Sequence, residues 1–302
     1  MDLKQLQYFV RVAELGGFTR ASVELTITQP ALSKQIRQLE VELRQTLFHR
    51  NGRGISLTPE GKTLFAHAKG ILEQVDRARQ DLREQQGSPT GKVVLGITPS
   101  AGKILAPNMI TTFRQRFARA SLEIIEGKSW TIHDWLTMGR IDIGVLYDPP
   151  DSPMLSVTPL MHEEVCLVQG TSRNINAASQ DLRFSDLKRF PLILPSLPHT
   201  MRVQVEAAAR RAGIELNVVL NIEGADFILE LVRQGHGCTI LPHHLVIDSG
   251  FSEQLQVSRF TDPPLTRTLA IAISNQRPST RLARETAVLV QKSLQDGYPY
   301  GV

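Results

Sequence analysis

The chain holds 302 residues, 41% of them apolar and 21% charged, with a net charge of +4. This balance excludes a disordered chain and supplies apolar residues for two or three domains. No apolar run reaches the ~18 residues of a membrane span, and Asp2, Lys4 and Arg11 break up the start where a secretory signal would be apolar, so the cytoplasm is the expected compartment.

Most of the positive excess, +3 of the +4, falls in residues 1–90. A basic bias points to nucleic acid only where the basic side chains share a face. Leu3, Leu6, Phe9, Val10 and Ala13 recur at helical spacing over 3–15, and Gly16-Gly17 ends that helix. A short helix follows from Thr19 to Leu25, then the turn Thr26-Ile27-Thr28. Thr28 is a good N-cap for a helix from Gln29, and Pro30 is tolerated in a first turn. Leu32, Ile36, Leu39 and Leu43 form the buried stripe of that helix, with Gln29, Ser33, Lys34 and Arg37 opposite. Lys34 and Arg37 suit phosphates or guanine edges, Gln29 suits adenine, and Ser33 serves either. A short helix, a tight turn and a polar-faced second helix describe a reader of the major groove.

Residues 47–57 read as a β-hairpin turning at Asn51-Gly52, with Arg50 and Arg53 flanking its tip, placed to hold DNA. The first block is therefore an all-α-rich winged helix-turn-helix over 1–60, with the helix-turn-helix itself at 18–37. In the next block, 61–87, the residues Leu64, Ala68, Ile71, Val75, Ala78 and Leu82 are spaced as a heptad seam, which predicts a long dimerising helix. Gly87-Ser88-Pro89-Thr90-Gly91 then marks a hinge at 88–92.

Residues 93–302 alternate strands and helices, an α/β rhythm that predicts mostly parallel sheets. Strands are expected at 92–97, 121–126, 141–146, 165–169, 192–195, 217–222, 238–241 and 267–274, and helices at 103–117, 129–139, 200–212, 225–234 and 280–295. Three strand-to-helix turns carry hydroxyls or charge: Thr98 with Ser100, Lys128 with Ser129, and Ser196 with His199 and Thr200. Backbone N–H groups at such helix starts suit an anion, and turns at the carboxyl ends of strands suit a crevice ligand. The stretches 139–144 and 235–242 read as helix-to-strand turns.

No GxSxG, HExxH or P-loop pattern occurs, Asp142 and Asp226 have no nucleophile beside them, and the adjacent His243 and His244 diverge on a helix. No catalytic residue, metal site or cofactor is expected. Cys166 and Cys238 are widely separated and read as small buried hydrophobes rather than a disulfide, zinc or thiol-sensing pair.

Residues 1–60 resemble the DNA-binding domain of the LysR-type transcriptional regulators. The resemblance is carried by Leu6-Gln7-Tyr8-Phe9, Gly17-Phe18-Thr19-Arg20-Ala21-Ser22, Thr28-Gln29-Pro30-Ala31-Leu32-Ser33, Leu39-Glu40 and Leu57-Thr58-Pro59-Glu60-Gly61, and it continues more weakly along the full length. It implies that Thr28, Gln29, Pro30, Ser33, Lys34, Arg37 and the wing arginines meet a double-stranded DNA operator. It also implies a linker helix paired with a partner's in a homodimer or homotetramer, and RNA polymerase as a partner. The regulatory region should have two lobes similar to periplasmic-binding proteins, lobe I at 93–163 and 268–302 and lobe II at 164–267. A small effector, often an anion, should sit between them against Thr98, Ser100, Ser129 and the 196–200 loop. Arg44 departs from the family by standing where a glycine usually closes the recognition helix, at a cost of about 1 kcal/mol if that site is left-handed. His49 replaces a frequent acidic residue. The alternative is a small-molecule-binding protein whose first block only dimerises.

Overall fold

The structure, a computed structural model, describes residues 1–51, 54–83, 89–171 and 181–297. Helix α1 (Leu3–Leu15) opens with a reciprocal capping box: the Asp2 carboxylate accepts from Gln5 N at 2.7 Å, and Gln5 Oε1 accepts from Asp2 N at 3.1 Å. It closes on Gly16 in the left-handed region, φ 61°. Helix α2 (Phe18–Glu24) begins one residue before the expected start, and α3 (Gln29–Leu43) is capped by Thr28. Leu6, Phe9 and Val12 of α1 meet Leu32, Ile36 and Leu39 of α3 in a buried core. Strands β1 (Phe48–Asn51) and β2 (Gly54–Leu57) pair antiparallel as the wing, anchored by Phe48, whose ring lies 5.3 Å from Phe9 and 6.0 Å from Phe18. Asn51 of the expected turn closes β1, while its other residue Gly52, the flanking Arg53 and the Arg50 side chain lie outside the described residues.

Helix α4 (Pro59–Arg83) follows. Its heptad seam is partly covered within the chain. Leu64 and Ala68 pack into the N-terminal core because α1 lies alongside α4, which corrects the expectation that both are free for a partner. Ile71 and Ala78 are exposed and Val75 is half-buried; the Leu82 side chain and residues 84–88, with Gly87-Ser88 of the expected hinge, lie outside the described residues.

The remainder forms two lobes. In the first, β3 (Gly91–Ile97), α5 (Pro99–Arg116), β4 (Ala120–Glu126), α6 (Ser129–Thr137) and β5 (Ile143–Tyr147) build a sheet closed by α10 (Arg281–Gly297). Leu95 and Val145 meet α5 and α10 through Leu105, Met109, Phe113, Leu282 and Val290 on one face, while Val94 and Leu146 meet Ile132 and Leu136 of α6 on the other. Strand β6 (Leu155–Gly170) then carries the chain into the second lobe, made of β7 (Leu182–Arg183), β8 (Leu192–Leu194), α7 (Thr200–Ala212), β9 (Val218–Asn221), α8 (Ala225–Arg233), β10 (Thr239–Pro242), α9 (His243–Ile247) and β11 (Leu255–Asp262). Strand β12 (Thr266–Ser274) returns to the first lobe, pairing with both β5 and β6.

The sheets are more mixed than the sequence predicts. Parallel pairs (β3 with β4 and β5, β8 with β9, β11 with β7) are matched by antiparallel ones, because β6 and β12 run in opposite directions between the lobes. Strand β6 also starts ten residues before the expected 165. It accommodates Pro159 because the register shift that pairs Met161 with Leu269 and Pro159 with Ala270 leaves Leu160 as an extra residue, and a bulge is where a strand tolerates proline. Strand β11 and helix α9 lack a clear periodic signal and are not among the expected elements. Among the described residues, no helix is long and apolar enough to cross a membrane.

Candidate DNA-reading face and effector cleft

Helix α3 divides as its sequence demands. Leu32, Ile36 and Leu39 are buried, while Thr28, Gln29, Pro30, Lys34 and Arg37 are exposed and Ser33 is half-buried. The Thr28 hydroxyl accepts from Ala31 N at 3.4 Å, satisfying one helix-end donor. The acidic residues nearby are engaged elsewhere. Glu14 holds Arg11 and Lys69, Glu24 also holds Arg11, Glu42 takes the N-terminal ammonium, and Glu40 accepts from Leu47 N at 2.8 Å. Lys34 and Arg37 have no ion-pair partner among the described residues, so their charge faces solvent. Arg44 closes α3 at φ 53°, in the left-handed region, at the position where the family resemblance implies a glycine.

Helix α4 is tied to the first lobe by a buried ionic cluster. Arg77 Nε meets Asp142 Oδ1 at 2.7 Å, and its Nη2 donates to the Gly139 carbonyl and to Glu73 Oε2, the latter at 3.2 Å. Asp142 Oδ2 accepts from Val94 N at 2.8 Å, and Arg277 Nη2 donates to the Ile141 carbonyl at 2.6 Å. Burial pushes the Glu73 carboxyl up, and burial with the nearby Arg77 charge lowers Arg277 to about 10. Gly70 makes the close approach feasible: a Cβ there would lie 1.9 Å from the Met138 carbonyl oxygen. The 139–144 turn is thus a docking surface for α4 as well as a turn.

Between the lobes lies a cavity of 220 Å³. The N-termini of α5, α6, α7 and α8 all border it, so four sets of helix-end N–H groups point toward one space. Thr98, Ser100, Lys128, Ser129, His199 and Thr200 line it. Ser196 does not: its carbonyl accepts from His199 N at 3.0 Å to close the turn, and the residue is exposed to solvent, which corrects its assignment to the cleft. Ser129 Oγ accepts from Tyr147 N at 3.1 Å. His199 Nδ1 accepts from Met201 N at 3.2 Å, and burial holds the imidazole below its usual pKa.

Two ion pairs cross from lobe to lobe, Lys128 to Glu223 at 2.9 Å and Lys103 to Asp226 at 2.7 Å. Trp130 stands edge-on to His199, centroids 6.3 Å apart, with Lys128 Nζ 4.9 Å above its ring. Apolar walls come from Ile228, Leu241 and Leu245. Asp142 and Asp226, carboxylates without a nucleophile in the sequence, are both ion-pair partners.

Sequence reasoning missed a buried cluster at the back of the cleft. Glu163 on β6 faces Arg267 on β12 in register, and Arg267 Nε donates to Glu163 Oε2 at 2.7 Å. The Arg267 guanidinium lies 3.5 Å from the Tyr147 ring centroid, the Tyr147 hydroxyl donates to Glu163 Oε1 at 3.4 Å, and His244 Nδ1 lies 3.5 Å from that same oxygen. Burial raises the Tyr147 pKa far above its ordinary value. The available signal was a charge at a buried phase of each strand.

Cys166 and Cys238 are both buried. The register sets Cys166 opposite Leu241, three residues from Cys238, which places the two about 10 Å apart, beyond disulfide reach. Burial pushes the Cys166 thiol up to about 11.

Comparison with known proteins agrees with this architecture. Residues 3–62 match the family described as bacterial regulatory helix-turn-helix protein, lysR family, and residues 86–295 match the LysR substrate binding domain. The HTH-type transcriptional regulator BbuR of Bordetella bronchiseptica is 29% identical, over 93% of this chain and 86% of its own. The uncharacterized HTH-type transcriptional regulator YcgK of Bacillus subtilis is 33% identical over 80% of each chain. Full-length CbnR crystallised with its target DNA shares the fold at a TM-score of 0.69 and 22% identity, covering 97% of this chain and 100% of that one. With a helix-turn-helix domain matched over 3–62 and a two-lobed substrate binding domain over 86–295, the chain belongs to the LysR family of transcriptional regulators.

Proposed function

We propose that this regulator grips operator DNA through Thr28, Gln29, Pro30, Ser33, Lys34 and Arg37, with Arg50 and Arg53 on the backbone, and that a small anionic effector between its lobes shifts its DNA-bound geometry. The observation that carries the DNA assignment is the exposed pair Lys34 and Arg37, unpartnered among the described residues on a helix whose nearby carboxylates are engaged elsewhere. The working parts are residues 1–60 for DNA, 61–87 for pairing, 88–92 as a hinge and 93–302 for the effector. Copies join through α4 from Ile71 onward, as a homodimer or homotetramer, and a two-fold pair suits a roughly palindromic site.

The effector is held by Thr98, Ser100, Lys128, Ser129, His199 and Thr200. Its coupling to DNA geometry is about 1–3 kcal/mol. The protein acts in the cytoplasm on RNA polymerase, without catalysis of its own.

A gel shift of the full chain against its operator, with random-sequence competitor at moderate salt, tests the DNA face. Arg37→Ala should weaken binding and flatten the salt dependence by about 0.9 in slope for each phosphate that is no longer neutralised. Unchanged affinity and slope would remove Arg37 from the interface.

A further inference from the structure

Beyond the helix starts, the cleft presents a buried charged side chain with hydrogen-bonding capacity left over. Arg267 is 7% exposed and lines the cavity. Its Nε is committed to Glu163, and one face of its guanidinium is covered by Tyr147. Its Nη2 is buried with no hydrogen-bond partner among the described residues. A guanidinium is always charged, and a buried N–H without an acceptor is costly, so this atom calls for an acceptor from outside the chain. Thr98 repeats the pattern: it is 5% exposed, it lines the same cavity, its hydroxyl has no partner among the described residues, and it sits at the N-cap of α5 without capping it.

The fixed charges around the cavity already pair off, Arg267 with Glu163 and Lys128 with Glu223. What remains attractive to an anion is the ends of four helices and the unused guanidinium and hydroxyl donors. A single negative charge suits that surplus, whereas a dianion would also face the carboxylates of Glu163 and Glu223. The planar fork of an arginine matches a planar carboxylate. The ring of Trp130 with Ile228, Leu241 and Leu245 offers apolar contact to the rest of the molecule. At 220 Å³ the space is smaller than the ~300–1,000 Å³ of common ligand pockets.

We infer that Arg267, aided by Thr98, is the specificity-determining residue for the effector, and that the effector is a small monocarboxylic acid with an apolar body. This rests on reading the interlobe cavity as the effector site. Arg267 and Thr98 take the carboxylate, and the wall of Trp130, Ile228, Leu241 and Leu245 takes the body.

The test is a melting-temperature screen on the full chain. The probes are short aliphatic and phenyl-substituted monocarboxylic acids, each beside its primary amide, with phenyl phosphate and inorganic phosphate as further arms. At least one acid should raise the wild-type melting temperature by about 5 °C at a hundredfold excess over its Kd, while its amide and the phosphates leave it unchanged. Arg267→Lys keeps the charge and loses the fork, and should weaken that acid at least about tenfold. The double variant Glu163→Gln with Arg267→Gln removes the buried charges together, so folding is retained, and it should lose the acid as well. If the acid binds wild type and both variants alike, the role of Arg267 is wrong while the cavity remains the effector site. If amides or phosphates bind and acids do not, the ligand class is wrong and the cavity again stands. If no probe binds, both the inference and the reading of the cavity fall.

Discussion

Arg77 of the linker helix and Asp142, just before β5, meet at 2.7 Å in a buried ion pair, 65 residues apart in sequence. Through this pair, the helix that leaves the DNA-binding domain is fastened to the lobe that forms one wall of the cleft. Removing one member breaks the buried pair and leaves Arg77 with only Glu73 and the Gly139 carbonyl, or Asp142 with only Val94 N–H, which costs up to about 3–5 kcal/mol. Arg77→Ala or Asp142→Asn should lower the urea midpoint accordingly and speed hydrogen exchange in α4. A Gly70→Val variant should do the same by colliding with the Met138 carbonyl.

Gln29 and Arg37 lie on the same exposed face but are suited to different chemistry. Gln29→Ala should relax preference at one base pair by about 1–3 kcal/mol and leave the salt slope of operator binding unchanged. Binding to a set of single-base operator variants reads this directly. A uniform loss across all of them would make Gln29 a backbone contact.

Arg44 holds φ 53° at the end of α3, a conformation that only glycine adopts without steric cost. Arg44→Gly should therefore stabilise the N-terminal domain by about 1 kcal/mol, with operator affinity unchanged because the residue lies off the reading face. Thermal unfolding checks the first point and a gel shift the second.

Burial holds His199 and His244 below their ordinary pKa, with the positive charge of Arg267 acting in the same direction on both. Both residues are then neutral in the folded protein at a pH where the unfolded chain already takes up protons. Stability is complete above the ordinary histidine value of about 6.5 and declines as pH falls below it. The melting temperature should be lower at pH 5.5 than at 7.5, and His199→Gln should shrink that difference. A melting temperature that rises on acidification would contradict the sign.

The Cys166 thiol, pushed up to about 11 by burial, stays protonated at neutral pH. Iodoacetamide should label it only at the rate of unfolding, and mild peroxide should leave operator binding unchanged. Fast labelling of the native protein would overturn this.

How much of this was legible beforehand depended on where the partners of each residue lie. The reading helix was, since Leu32, Ile36 and Leu39 set its buried stripe, Thr28 its start, and Lys34 and Arg37 its free face, all within one short segment. Part of the cleft was, because Thr98, Ser100, Lys128, Ser129, His199 and Thr200 mark helix starts that any strand-to-helix turn announces. The heptad seam was visible too, but not that Leu64 and Ala68 would be taken by α1, since spacing names a face without naming what covers it.

Local hydrogen bonding and helical periodicity are written within a few neighbouring residues, and those features the sequence by itself determined. The pairing of Arg267 with Glu163 spans 104 positions and exists only because β6 and β12 cross between the lobes in one register. A slip of one residue would turn both side chains to the opposite face of the sheet. The docking of Arg77 on Asp142 likewise waits on the helix finding the lobe. Tertiary structure alone decided these contacts, because a buried charge has no defined partner until the whole fold brings one within reach.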